Sequence, residues 1–186
     1  LDVTHARLRE GVIGPMPRDD ERATHDQLAQ LLEIHAKDRP ESFVDHYALA
    51  GEPGVAADRA VAAAERASRA LAFHQACRLF ERALELTDHA RRESTRVTLG
   101  KATGGWGSTP RWELLARLGA ALVSNGQGGA GARRLQLAAE ELAKSSPDDA
   151  RVLQLTRRAA EQYMRSGMHT EGMELLRRVQ IGRAHV

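Results

Sequence analysis

The chain has 186 residues, 42% apolar, 28% charged and 4% aromatic, enough for one moderate core or an elongated array but not for two independent globular cores. Its 27 lysines and arginines nearly balance 25 aspartates and glutamates, so bulk charge gives no reason to expect nucleic acid or a membrane surface as partner. The single cysteine, Cys77, excludes an internal disulfide framework and a cysteine-based zinc site, and no stretch reaches the roughly 18 apolar residues of a membrane span; the composition reads as that of a cytoplasmic segment.

Alanine (31) and leucine (22) far outnumber valine plus isoleucine (13), which favours helix over strand throughout. The chain opens at Leu1 and enters an apolar pattern, Val3, Leu8 and Val12, with no upstream partner, so it reads as a fragment. A helical segment is expected over 1–36. Its main helix runs from about Asp19 to Ala36, with Leu28, Leu31, Leu32 and His35 on one face and Thr24 with Gln27 suited to a capping box. Pro40 breaks the pattern and opens a first helical repeat region over 37–88. There a helix through Phe43, Val44 and Tyr47 ends at the turn Gly51-Glu52-Pro53-Gly54, and an alanine-rich helix follows to about Arg69. From Phe73, the residues Phe73, Cys77, Phe80 and Leu84 form a core-facing stripe in which Cys77 serves as a small buried hydrophobe.

From His89 to Arg111 the apolar pattern dissolves. Arg91, Arg92, Arg96, Lys101 and Arg111 stand against Glu93 alone, and Gly104-Gly105-Trp106-Gly107 interrupts any helix, so 89–111 reads as a flexible basic loop. Helices resume over 112–180, at about Trp112 to Asn125, Ala130 to Ser145, Asp148 to Ser166 and Thr170 to Val179; the short turns between them imply antiparallel neighbours. Residues 181–186 read as a non-native tail and carry no fold argument.

One spacing recurs three times: large apolar, glycine four on, a small residue five further, then apolar residues after four and three. Its members are Tyr47, Gly51, Ala56, Ala60 and Ala63; Leu122, Gly126, Gly131, Leu135 and Ala138; and Tyr163, Gly167, Gly172, Leu176 and Val179. The first residue anchors one helix, the glycine ends it, and the small residue lets the next helix approach closely. Ala76, Phe80 and Ala83 form a half-copy. The pattern resembles the tetratricopeptide repeat, although its copies start 75 and 41 residues apart rather than at a constant period. The resemblance implies an all-α fold: a degenerate, antiparallel helix-pair array, a right-handed α-solenoid that binds proteins or peptides.

A second resemblance rests on longer motifs. Thr4-His5-Ala6-Arg7-Leu8-Arg9-Glu10-Gly11-Val12 followed by Arg22-Ala23-Thr24-His25-Asp26-Gln27-Leu28-Ala29 is similar to the "HxxxREAV … HxxLA" segment found after the ATPase core of large signalling ATPases, with Gly11 in place of alanine. Asp45-His46-Tyr47-Ala48-Leu49-Ala50-Gly51-Glu52-Pro53, Ala70-Leu71-Ala72-Phe73, Leu79-Phe80-Glu81-Arg82-Ala83-Leu84-Glu85-Leu86 and Arg158-Ala159-Ala160-Glu161-Gln162-Tyr163-Met164-Arg165-Ser166-Gly167 follow in the same order. Together they resemble the helical region of bacterial multidomain serine/threonine protein kinases carrying an AAA/STAND-type ATPase module and, less closely, of LuxR-type regulators. The resemblance implies a non-catalytic scaffold or sensor whose partners are proteins, including the parent's own kinase and ATPase domains. In it His5, His25 and His46 are packing positions.

Catalytic signatures are missing from the sequence. Gly100-Lys101-Ala102-Thr103 fails the phosphate-loop pattern, because Ala102 takes the hydroxyl position and Thr95 the leading glycine position. Neither H-R-D nor D-F-G occurs. His25, Asp26, His35, Asp45 and His46 offer a rival reading as a small metal-dependent hydrolase, but no H-E-x-x-H is present, and ten residues of helix separate His25 from His35 by about 15 Å. A third reading, a fragment of a DNA-binding regulator, would use the basic loop with Trp106 and Trp112. The leading expectation assigns no catalytic, cofactor or metal residue. It places partner contacts on the first helices of the pairs, at Asp45, His46, Arg117 and Gln162.

Overall fold

The computed structural model describes residues 17–36, 39–96 and 107–183. Among them the regular structure is helical throughout: α1 (Arg18–His35), α2 (Pro40–Leu49), α3 (Pro53–Arg69), α4 (Phe73–Arg96), α5 (Arg111–Ser124), α6 (Gly128–Ser145), α7 (Ala150–Arg165) and α8 (His169–Arg183). None of these helices is long and apolar enough to cross a membrane. Each packs on its neighbour in sequence. Side chains also join alternate helices into two layers. Glu33 pairs with Arg59 at 3.1 Å, Glu65 with Arg117, and Arg151 lies 4.7 Å over the Trp112 ring, linking α1, α3, α5 and α7 in succession. Asp45 pairs with Arg82 at 2.8 Å and Glu41 with Arg78 at 3.9 Å, linking α2 to α4.

Alanine sets the spacing of these layers. In α3 the buried residues Ala56, Ala57, Ala60, Ala63, Ala64 and Ala67 let its neighbours approach closely, while Phe43 and Val44 of α2, Leu79 and Phe80 of α4, and Leu114, Leu115 and Leu118 of α5 fill the remaining volume. The three small positions of the repeat are all helical and buried: Ala56, Gly131 and Gly172. A Cβ built on Gly172 would stand 2.8 Å from Met164 Cγ and 3.1 Å from Ala160 O, so glycine is needed for the α7–α8 contact.

The repeat glycines share one conformation. Gly51, Gly126 and Gly167 have φ of 86°, 79° and 77°, and in each turn the next residue's N–H donates back to the first member of the motif: Glu52 to Tyr47 O, Gln127 to Leu122 O, Met168 to Tyr163 O. A fourth turn has the same geometry: Leu71 has φ 59° and the Ala72 N–H donates to Ala67 O at 2.9 Å. Ala67, Leu71, Ala76, Phe80 and Ala83 therefore form a complete copy with leucine in the glycine position, completing the half-copy visible in the sequence. This restores a common phase, in which α3/α4, α5/α6 and α7/α8 are equivalent hairpins and the α2/α3 turn is an additional one.

Three expectations need correction. Thr24 is not a cap: it lies inside α1 and its Oγ1 donates to Asp20 O, whereas α1 starts after Pro17 without a side-chain cap. The face expected from Leu28, Leu31, Leu32 and His35 is not the packed one. Ala29 is the buried residue of α1 and Leu32 is partly buried, because small Ala29 allows close contact, while Leu28, Leu31 and His35 stay exposed. Third, residues 89–96 are not loop. The stripe of α4 continues through Leu86, Thr87 and Ala90 in smaller and more polar members, with the Thr87 hydroxyl donating to Ala83 O, and so carries the helix to Arg96. The last helix, α8, runs to Arg183.

The chain re-enters at Gly107 under restraint. The Ser108 N–H and Oγ donate to Asp58 Oδ1 at 2.7 and 2.9 Å, and Arg111 opens α5 by donating through Nε and Nη2 to the Asp88 carboxylate at 2.8 and 3.3 Å. The rest of the expected loop, with Lys101, the failed phosphate-loop motif and Trp106, lies outside the described residues, as do residues 1–16 with the first signalling motif.

Candidate functional site

The odd-numbered layer carries a cleft of about 360 Å³ between α3 and α5, above α4. Its walls are Glu65, Ser68 and Arg69 from α3 and Arg117, Ala120 and Ser124 from α5; half-buried Phe73 and buried Phe80 form the floor. The cleft exists because positions 120, 121 and 124 are small while α4 supplies two rings beneath them. Its polar rim is tied together by Arg117, which donates to both Glu65 and Glu113, and by Arg69, whose guanidinium stands 4.0 Å from Glu65. An apolar floor with a charged rim suits a side chain of a peptide or protein better than a small polar metabolite.

A second, more polar hollow of about 620 Å³ lies at the α5–α6 turn, bordered by Gln127, Gly128, Gly129, Gln162, Arg165 and Ser166. The four expected contact residues are thus distributed rather than joined. Arg117 lines the α3–α5 cleft and Gln162 the turn hollow. Asp45 and His46 belong to α2 in the other layer, where Asp45 accepts from Arg82 and His46 Nδ1 lies 2.8 Å from His25 Nδ1. Sequence reasoning missed Glu65, Ser68 and Arg69, and assigned Phe73 wholly to the core. The only sequence signal for the cleft is the run of small residues at the end of α5.

The residues of the rival metal reading do not converge. His25 meets His46, with ring centroids 5.0 Å apart, but Asp26 accepts from Gln30, Asp45 is held by Arg82, and His35 is exposed. Among the described residues no group of three or more histidine, cysteine, aspartate or glutamate side chains is arranged to hold a metal ion. Burial, reinforced by Glu81, pushes the Cys77 thiol up, away from the reactive thiolate. The basic-loop reading loses two of its elements: Arg111 is engaged by Asp88, and the Trp112 ring is covered by Arg151.

Two residues at the first position of the repeat play parallel parts. The Tyr47 hydroxyl donates to Glu33 Oε2 at 2.9 Å and the Tyr163 hydroxyl to Gln136 Oε1 at 3.0 Å, each tying its helix to the preceding helix of the chain, in the other layer. Burial raises the pKa of both phenols, with Glu33 adding to the effect at Tyr47, so they remain neutral donors.

No protein-family model matches the chain, and no curated protein does. Among solved structures it is similar to a Podosopora anserina protein described as kinesin light chain nearly identical TPR-like repeats, and to a single-substitution variant of that protein. Each comparison has a TM-score of 0.52 and 18% identity, over 88% of this chain and 75% of the other. The fold is therefore a degenerate tetratricopeptide-like array of antiparallel helix pairs, all-α among the described residues.

Proposed function

We propose that this chain is a non-catalytic, cytoplasmic scaffold segment that binds a protein or peptide through the cleft between α3 and α5. The observation that carries the reading is the cleft itself, with Phe73 and Phe80 beneath a rim of Glu65, Arg69 and Arg117 in a tetratricopeptide-like array. The sequence motifs support a more specific placement, in which the segment belongs to a bacterial signalling protein of the kinase–ATPase type and its partners include the parent's own kinase and ATPase domains. Asp45 and His46 then serve the packing of α1, α2 and α4, whereas Arg117 contacts the partner.

Calorimetric titration of the chain with the purified kinase and ATPase domains of its parent tests this. Binding is expected to at least one of them, weakened about tenfold or more by Phe73→Ala and by Ser124→Trp, which fills the cleft. Absence of binding to both domains, or affinity unchanged by both substitutions in variants with the parent's circular dichroism, overturns the reading.

A further inference from the structure

We infer that Leu71 is a second anchor for the partner of the α3–α5 cleft, seating an acidic, amphipathic segment whose other apolar side chain enters the cleft. The inference rests on the reading of that cleft as a binding site. Leu71 combines two properties that folding does not explain. It has φ 59°, a left-handed backbone that the equivalent turns give to glycine and that a branched L-residue adopts only under strain. It is also, at 73%, the most exposed large hydrophobic residue among the described ones. The array gives this side chain little to pack on. A Cβ built on Gly126 or Gly167, which hold the same place in the next two hairpins, meets nothing within 4 Å. The turn's apolar contact with the core is made instead by the following residue, Ala72 here and Met168 between α7 and α8.

Position and charge define the occupant. The Leu71 N–H donates to Ser68 O at 3.1 Å, and Ser68, Arg69 and Phe73 all line the cleft, so the leucine stands at its edge, two residues from the ring of the floor. Two residues of chain span at most about 7 Å, close to the roughly 5–6 Å between side chains one turn apart on a helix. A segment with two large apolar side chains at that separation covers Leu71 with one and fills the cleft with the other. Between the two anchors lies Arg69. Its side chain is 71% exposed and its contact with Glu65 is 4.0 Å long, while Arg117 holds that carboxylate closely. A carboxylate beside the apolar pair complements Arg69, which makes the segment acidic.

Calorimetric titration of the full chain with the kinase and ATPase domains of its parent, paired with urea unfolding, tests this. Leu71→Gly and Leu71→Asn both suit a left-handed turn and remove the apolar side chain; each should weaken binding about fivefold or more, and Leu71→Gly should do so while raising the urea midpoint. Leu71→Met should keep affinity within about twofold of the unaltered chain, and Arg69→Glu should weaken binding about fivefold or more. A turn residue that touches no partner would change the midpoint and leave affinity as it was. Affinity unchanged by Leu71→Gly but weakened by Phe73→Ala overturns this inference alone and leaves the cleft standing. Affinity unchanged by both substitutions, or no binding to either domain, overturns the two together. A urea midpoint lowered by Leu71→Gly would show that the side chain serves the fold, and a sedimenting dimer of the chain alone dispersed by Leu71→Gly would show that it meets a second copy; either overturns the inference.

Discussion

Gly119 of α5 and Gly131 of α6 face one another: a Cβ on Gly119 would stand 3.0 Å from Gly131 O, and one on Gly131 would stand 2.7 Å from Gly119 O. Two backbones touch here, and Val123 Cγ2, 2.6 Å from the same Gly131 Cβ position, closes the remaining space. Alanine favours a helix interior by about 1 kcal/mol over glycine, but overpacking at this contact works in the opposite direction. Gly131→Ala is expected to destabilise the chain by about 1–3 kcal/mol in urea unfolding. A gain in stability would mean that α5 and α6 are not in contact.

Leu71 makes the reverse prediction. It is 73% exposed and holds a left-handed backbone that costs an L-residue about 1–2 kcal/mol, whereas the three equivalent turns use glycine. Leu71→Gly should stabilise the chain by about 0.5–1 kcal/mol after the added freedom of the unfolded glycine is subtracted, measured as a rise in the urea midpoint.

Asp149 opens α7 by accepting from the Arg151 N–H at 2.8 Å and from the Arg151 guanidinium. These bonds, the side-chain one foremost, lower its carboxyl pKa from 3.8 to about 2. Because the folded value lies below the unfolded one, the contribution is present above pH 4 and is lost as pH falls from 4 toward 2. Thermal midpoints between pH 2 and 5 should fall less steeply in Asp149→Asn than in the parent chain, and the variant's midpoint at pH 7 should be lower. Parallel curves would show that this carboxylate is not coupled to folding.

His25 and His46 fasten α1 to α2 through a 2.8 Å contact between their Nδ1 atoms. Such a bond needs one donor and one acceptor, so each ring depends on the other. The single variants His25→Ala and His46→Ala should lose about 0.5–1.5 kcal/mol each, with the double variant losing little more than either alone. Simple additivity in urea unfolding would show that the two rings do not share a hydrogen bond.

These sites differ in how far the sequence reveals them. The hairpins at Gly51, Gly126 and Gly167 are legible because a left-handed turn demands a residue type that stands out, and Ala56, Gly131 and Gly172 because close helix contact demands small ones. The turn at Leu71 is hidden for the same reason: leucine tolerates that backbone only under the surrounding restraint, so the copy beginning at Ala67 lacks its marker and the phase of the array is obscured. The cleft is hidden differently. Glu65 and Arg117 are 52 residues apart, and their meeting depends on which helices stack side by side, a relationship that apolar periodicity does not encode. In α1, the stripe of Leu28 and Leu31 is visible but its direction is not, because Ala29 outcompetes larger neighbours for the close contact.

The clasp of Ser108 on Asp58, together with Arg111 on Asp88, isolates the α4–α5 connection from the rest of the architecture. The far end of that connection is moored to helices already in place, so extra residues between Arg96 and Gly107 would lengthen a closed span without shifting the register of α5. Doubling such a span costs only about 0.6 kcal/mol of closure entropy. The array therefore has a natural port for grafted segments, where evolution or an engineer could add a module while leaving both halves of the molecule undisturbed.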